Sequence, residues 1–128
     1  MRKTSQQEIE SVIRLDGTAR FKHFVKRVVD SEEAWGLWSN GWATMSDDDG
    51  NQVFPLWPAR EYAERCRLGE LANYEASQIA LVDLLDDLIP KLAAKSMLPG
   101  VFPTPSGQGA VVSLRDLEGA LRTEMEKY

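Results

Sequence analysis

Residues 34–58 read AWGLWSNGWATMSDDDGNQVFPLWP, and this stretch decides the fold. Its apolar and aromatic residues fall in short runs, 34–38, 42–45 and 52–57, divided by Asn40-Gly41 and Asp49-Gly50. Those dipeptides accept the positive φ of tight hairpin turns, so the stretch predicts three antiparallel strands in a meander. Pro55 has no N–H to give to a ladder, which places the third strand at an edge or ends its pairing early. Strand alternation sends Trp35 and Trp38 to opposite faces. The four tryptophans, with Trp42 and Trp57, therefore cannot share one core, and at least one is expected to be partly exposed.

Outward from this stretch the periodicity turns helical. Upstream, Ile9, Val12 and Ile13 predict a short helix after the capping candidates Thr4 and Ser5, stopped by Asp16-Gly17. Phe21, Phe24, Val25 and Val28 then recur at i, i+3, i+4 and i+7, an amphipathic helix whose other face carries Arg20, Lys22, His23, Lys26 and Arg27. Downstream, Pro58 suits a first helical turn, and Tyr62, Ala63 and Cys66 follow at helical spacing. Residues 68–77 include Gly69 and read as a loop with at most one more turn of helix. Leu81, Leu84, Leu85, Leu88, Ile89 and Leu92 form the strongest helical stripe, which Pro90 should kink or split. Residues 101–105 and 110–112 read as a second hairpin around a turn at 106–109. Ser113 with Asp116 caps a last helix bearing Leu114, Leu117, Leu121 and Met125. Strands grouped in hairpins and packed with about five helices make this an α+β fold, an antiparallel Trp-rich meander with a second hairpin.

The 128 residues are 43% hydrophobic, enough for one domain with a core of its own. The net charge of −5 divides unevenly, because residues 1–30 carry +3 and the remainder −8. A chain acidic overall repels phosphate backbones, so any nucleic-acid role would have to sit on the basic helix face. No apolar run approaches the roughly 20 residues of a membrane-spanning helix. The basic start lacks an apolar stretch behind it, and the single Cys66 has no internal disulfide partner, so the cytoplasm is the expected compartment.

Several chemistries find too few residues. One Cys and one His fall short of a zinc ligand set. An EF-hand loop with Gly50 at its sixth position would begin at Met45 and end at Leu56, neither a carboxylate, so Asp47-Asp48-Asp49 reads as an acidic hairpin tip. Cys66 lies on the inward stripe of its helix, and His23 belongs to a face expected to be solvated. Gly107-Gln108-Gly109 precedes a strand rather than a helix, so it is a turn and not a phosphate loop. Asp83, Asp86 and Asp87 share one exposed helix face and do not oppose one another across a cleft. No cofactor or metal is expected.

The run Trp35-Gly36-Leu37-Trp38, Gly41-Trp42-Ala43, Pro55-Leu56-Trp57-Pro58 and later Gly100-Val101-Phe102-Pro103-Thr104-Pro105 resembles a family of short bacterial proteins known only as a domain of unknown function. The similarity runs over residues 18–116 and implies a bacterial, cytoplasmic, single-domain protein, with no catalytic residues to carry over. The Pro-Leu-Trp strand end running into a helix is also loosely similar to small modules of bacterial secretion-associated and immunity-type proteins.

Three functions remain open. The first is a non-enzymatic binding or regulatory module meeting a protein partner through Trp38, Trp42, Trp57 and Arg60, with Lys22 and Lys26 contributing. The second is a small enzyme holding an anion at the strand-to-helix junction of residues 55–60. The third is nucleic-acid binding through Arg20, Lys22, Lys26 and Arg27, although a nucleic-acid partner is the less expected one. A homo-oligomer is compatible with all three.

Overall fold

The computed structural model describes residues 5–105 and 109–128, so Thr4 and the turn positions 106–108 lie outside the described residues. The chain is α+β, as its hairpin grouping implies. Helix α1, Gln6–Ile13, is capped by Ser5, whose hydroxyl accepts from the Glu8 N–H at 3.1 Å. Asp16 caps α2, Gly17–Ser31, by accepting from the Ala19 N–H at 2.8 Å, so the stop of one helix is also the start of the next. Glu32 closes α2 in the left-handed conformation at φ 58°, and β1, Glu33–Trp38, follows at once.

The chain turns where the meander requires, and both returns are antiparallel, but its main ladder is elsewhere. Strands β2, Met45–Ser46, and β3, Gln52–Leu56, form the Asp49-Gly50 hairpin. Between β1 and the next segment only a Trp38–Trp42 bridge forms. Strand β1 instead pairs over its whole length with β4, Glu75–Ala80, from Glu33 opposite Ala80 to Trp38 opposite Glu75. This corrects the reading of residues 68–77 as loop. One turn of 3₁₀ helix, Gly69–Leu71, does occur, but the chain straightens from Glu75 onward. Glu75-Ala76-Ser77-Gln78 carries little strand propensity of its own, and pairing with β1 supplies what propensity does not.

A second sheet runs in the order β2-β3-β5-β6, with β5 at Leu98–Val101 and β6 at Ala110–Val111. Its β3–β5 pair is parallel, reached by a crossover through α3, Arg60–Arg65, strand β4 and the helical run that follows. Pro55 sits in β3 between two neighbours, and the β2 ladder stops at Val53, before the position with no N–H. Strand β5 begins at Leu98 and ends at Val101, earlier at both ends than the 101–105 that its sequence indicates, and the next residue, Phe102, takes φ 62° while its N–H bonds the Leu56 carbonyl at 2.8 Å. A bulky residue held in the left-handed region costs about 1–2 kcal/mol, offset here by complete burial of the ring.

Pro90 does not split the leucine-stripe helix. Helix α4, Leu81–Asp83, continues through a π turn, Leu84–Leu88, into α5, Ile89–Ala94. The wider turn directly before the proline accommodates the missing N–H and the ring. Leu81, Leu84, Leu85, Ile89 and Leu92 are all buried. Helix α6, Leu114–Met125, starts on the Ser113 cap and lays Leu117 and Leu121 into the core. Phe24, Val28, Leu37, Leu56 and Tyr62 complete its centre.

Candidate functional site

Of the four tryptophans, Trp57 is 0% exposed and Trp35 is buried, whereas Trp38 is 43% exposed and Trp42 lies between. Local geometry accounts for the difference. Asn40 takes φ 57°, the Ser39 N–H bonds the Gly41 carbonyl at 2.9 Å and the Ala43 N–H bonds the Leu37 carbonyl at 2.8 Å, folding the chain back over β1. Trp42 thereby lands on Gly36, where a Cβ would lie 3.0 Å from two of its ring carbons. The glycine is the seat of this indole. Trp42 in turn meets Trp38 edge-on, with centroids 5.0 Å apart and planes at 79°, and Phe54 at 5.9 Å. Edge-to-face pairs of this kind contribute about 0.5–1.5 kcal/mol beyond the area they bury.

This pair heads a groove of about 510 Å³ that runs between β4 and the helix of Asp83, Asp87, Lys91 and Lys95, with Leu88 and Met97 in its wall. Asp87 and Lys91 form an exposed ion pair at 3.2 Å. Charged residues of both signs thus border an aromatic floor. The sequence placed the aspartates on a solvated face and did not place Lys91, Lys95 or Met97 near the tryptophans. No local pattern could have done so, because the groove exists only once β4 pairs with β1.

The other expected site residues are dispersed. Trp57 cannot face a partner, because its indole is enclosed and donates to the Pro103 carbonyl at 2.9 Å. Residues 55–59 are all buried, so Leu56 and Trp57 seal the strand-to-helix junction from within. Arg60 is exposed beside it, in contact with Glu64 at 3.5 Å. The hollow along the junction, about 640 Å³, carries Asp30, Glu33 and Glu61 against Arg27 and Arg60, an unfavourable setting for an anion. Helix α3 has six residues, too few for a useful dipole at its start.

The basic face of α2 is smaller than the sequence indicates. Arg27 is 5% exposed, reaching Glu8 of α1 at 3.4 Å and the Ser31 hydroxyl at 3.3 Å. Arg20 bonds the Leu15 carbonyl across the α1–α2 corner. Lys22 and Lys26 remain exposed and join Lys127 along a hollow of about 480 Å³ between α2 and α6. His23, expected in solvent, is half-buried against Tyr62 and Phe102, each with its ring centre 6.2 Å away.

Cys66 is inward, as its helical position requires. Burial pushes its thiol up to about 11, only partly opposed by a hydrogen bond with Trp57, so at neutral pH it is a protonated thiol and a poor nucleophile. At the hairpin tip, Asp47 accepts from the Asn51 side chain at 3.0 Å and backbone N–H at 2.8 Å, and from the Asp49 N–H at 3.0 Å. These bonds hold its carboxyl below the usual range and explain the acidic tip as a turn that caps itself. Among the described residues, no three of His, Cys, Asp and Glu lie together as a metal ion would need. No helix among them is long and apolar enough to cross a membrane.

What the fold and the groove define is an α+β protein built on two small sheets, one of them mixed, with the exposed Trp38 and the partly buried Trp42 on one flank. The chain belongs to the family described as "Protein of unknown function (DUF2750)", whose model matches residues 21–121. No curated protein and no solved structure matches it.

Proposed function

We propose that this protein is a non-enzymatic binding module that captures a protein partner in the groove headed by Trp38 and Trp42. The observation that carries this reading is Trp38 itself, a 43% exposed indole held edge-on by a neighbour that is seated on a glycine. Leaving a large aromatic side chain in water forgoes hydrophobic stabilisation of about 1–2 kcal/mol, which a partner covering it would recover. A rigid indole also loses little conformational entropy on contact, which suits it to an anchor position. The cytoplasmic setting and bacterial origin belong to the same proposal. The buried free thiol of Cys66 is compatible with a reducing compartment.

The test is affinity capture with the full chain and with Trp38→Ala, followed by titration of whatever partner is identified. Trp38→Ala should weaken that complex by at least about tenfold, in the range of an aromatic anchor, while Lys22→Ala leaves it unchanged. A partner whose affinity is indifferent to Trp38 would sink the reading.

A further inference from the structure

The backbone of β1 uses its two sides for different neighbours. The N–H and carbonyl of Trp35 both bond Trp57 at 2.9 Å, and the Leu37 carbonyl bonds the Ala43 N–H, so the odd positions of β1 face away from β4. The bonds to β4 therefore come from Ala34, Gly36 and Trp38, which stand opposite Ile79, Ser77 and Glu75. It follows that Ala76 and Gln78 point their N–H and carbonyl groups out of the sheet. Neither residue has a backbone partner there among the described residues.

This edge lacks three of the devices that protect edge strands. Strand β4 is six residues long, in unbroken register, and contains no proline, no lysine and no bulge. It is also flanked on both faces. The tryptophan groove opens beside Gln78, Ile79 and Ala80 on one face. On the other, the junction hollow meets Gln78 next to Glu33, which accepts from the Gln78 side chain at 3.2 Å, and Asp30.

We propose that β4 is a strand-addition site taking an extended segment of a partner protein, in which apolar residues alternate with basic ones. Side chains of an added strand fall alternately on the two faces. Those level with Ser77 and Ile79 enter the groove of Trp38, Trp42 and Leu88, where an aromatic or aliphatic group is covered. Those level with Gln78 enter the hollow of Asp30, Glu33 and Glu61, where the two arginines, Arg27 and Arg60, are already paired with Glu8 and Glu64, so Lys or Arg is favoured over a carboxylate. The proposal rests on the groove being a protein-binding site and adds the shape and charge of what binds.

The experiment titrates the ¹⁵N-labelled full chain with a capped hexapeptide of alternating Lys and Phe. Two control peptides accompany it, one with Glu for Lys and one N-methylated at alternate residues. The amides of Ala76 and Gln78 should shift and exchange more slowly with solvent, and both controls should bind about tenfold more weakly, as loss of two hydrogen bonds or reversal of charge implies. Gln78→Pro, which deletes an outward N–H and spares the ladder to β1, should weaken binding similarly. If that variant does not fold, the N-methylated peptide makes the same test from the ligand side. Shifts confined to Trp38 and Trp42, indifferent to N-methylation, would overturn strand addition and leave the groove as a binding site. An Ala76 and Gln78 edge silent toward all three peptides would overturn it too, without bearing on Trp38-dependent capture of a partner. So would a chain that sediments as a dimer and reverts to monomer with Gln78→Pro, since the edge would then be filled by a second copy.

Discussion

The indole N–H of Trp57 donates to the carbonyl of Pro103 at 2.9 Å, joining positions 46 residues apart inside the core. Cys66 reaches the same oxygen with its sulfur at 3.4 Å. The carbonyl is available because β5 ends at Val101 and Phe102 then adopts its left-handed conformation, so one strained residue and one buried tryptophan fix the place where β3, α3 and β5 meet.

Trp57→Phe removes the better donor and leaves a gap beside Pro103. The expected loss is about 2–4 kcal/mol, from the hydrogen bond together with the unfilled volume. Urea unfolding followed by circular dichroism measures it. A change under about 0.5 kcal/mol would show that this bond does not hold the junction.

Cys66 should resist alkylation in the native protein and react fast once unfolded, because burial keeps it protonated. The sign of the pH effect follows from the same shift. Between its ordinary value of 9.0 and about 11 the unfolded chain has lost the thiol proton while the folded chain retains it, so stability falls as pH rises through that window. Cys66→Ala removes this dependence. Iodoacetamide labelling rates and unfolding midpoints from pH 8 to about 11 check both statements.

Gly36→Ala places a methyl group against the Trp42 ring, at 3.0 Å from two of its carbons. The indole must give by a few tenths of an ångström, which disturbs its edge-on contact with Trp38. The expected cost is about 1–3 kcal/mol, with a shift in tryptophan emission that Trp38→Ala alone does not reproduce. Unchanged emission and stability would mean that the glycine is not the seat of Trp42.

Arg27 and Lys22 are five residues apart on one helix and should behave differently. Arg27→Ala takes a buried guanidinium from Glu8 and Ser31 and should cost about 2–4 kcal/mol. Lys22→Ala, on the exposed side, should stay within about 0.5 kcal/mol. Thermal unfolding of the two variants side by side decides whether the α2 face divides as described.

The sequence by itself determined the local features, namely the helical stripes of α2, α5 and α6, the caps at Ser5 and Ser113, and the turns at Asn40-Gly41 and Asp49-Gly50. Periodicity, capping and positive φ act within a few residues, so a single chain displays them. It also required that some tryptophan be exposed, though not which. Only the tertiary structure decided that Trp38 is the exposed one and Trp57 the buried one, that Arg27 leaves the basic face for Glu8, and that β1 takes Glu75–Ala80 as its partner. Each of these depends on what stands opposite a residue after the chain has closed on itself. A ladder partner about 40 residues away, a carboxylate on another helix or an open strand edge leaves no mark on the spacing of its neighbours.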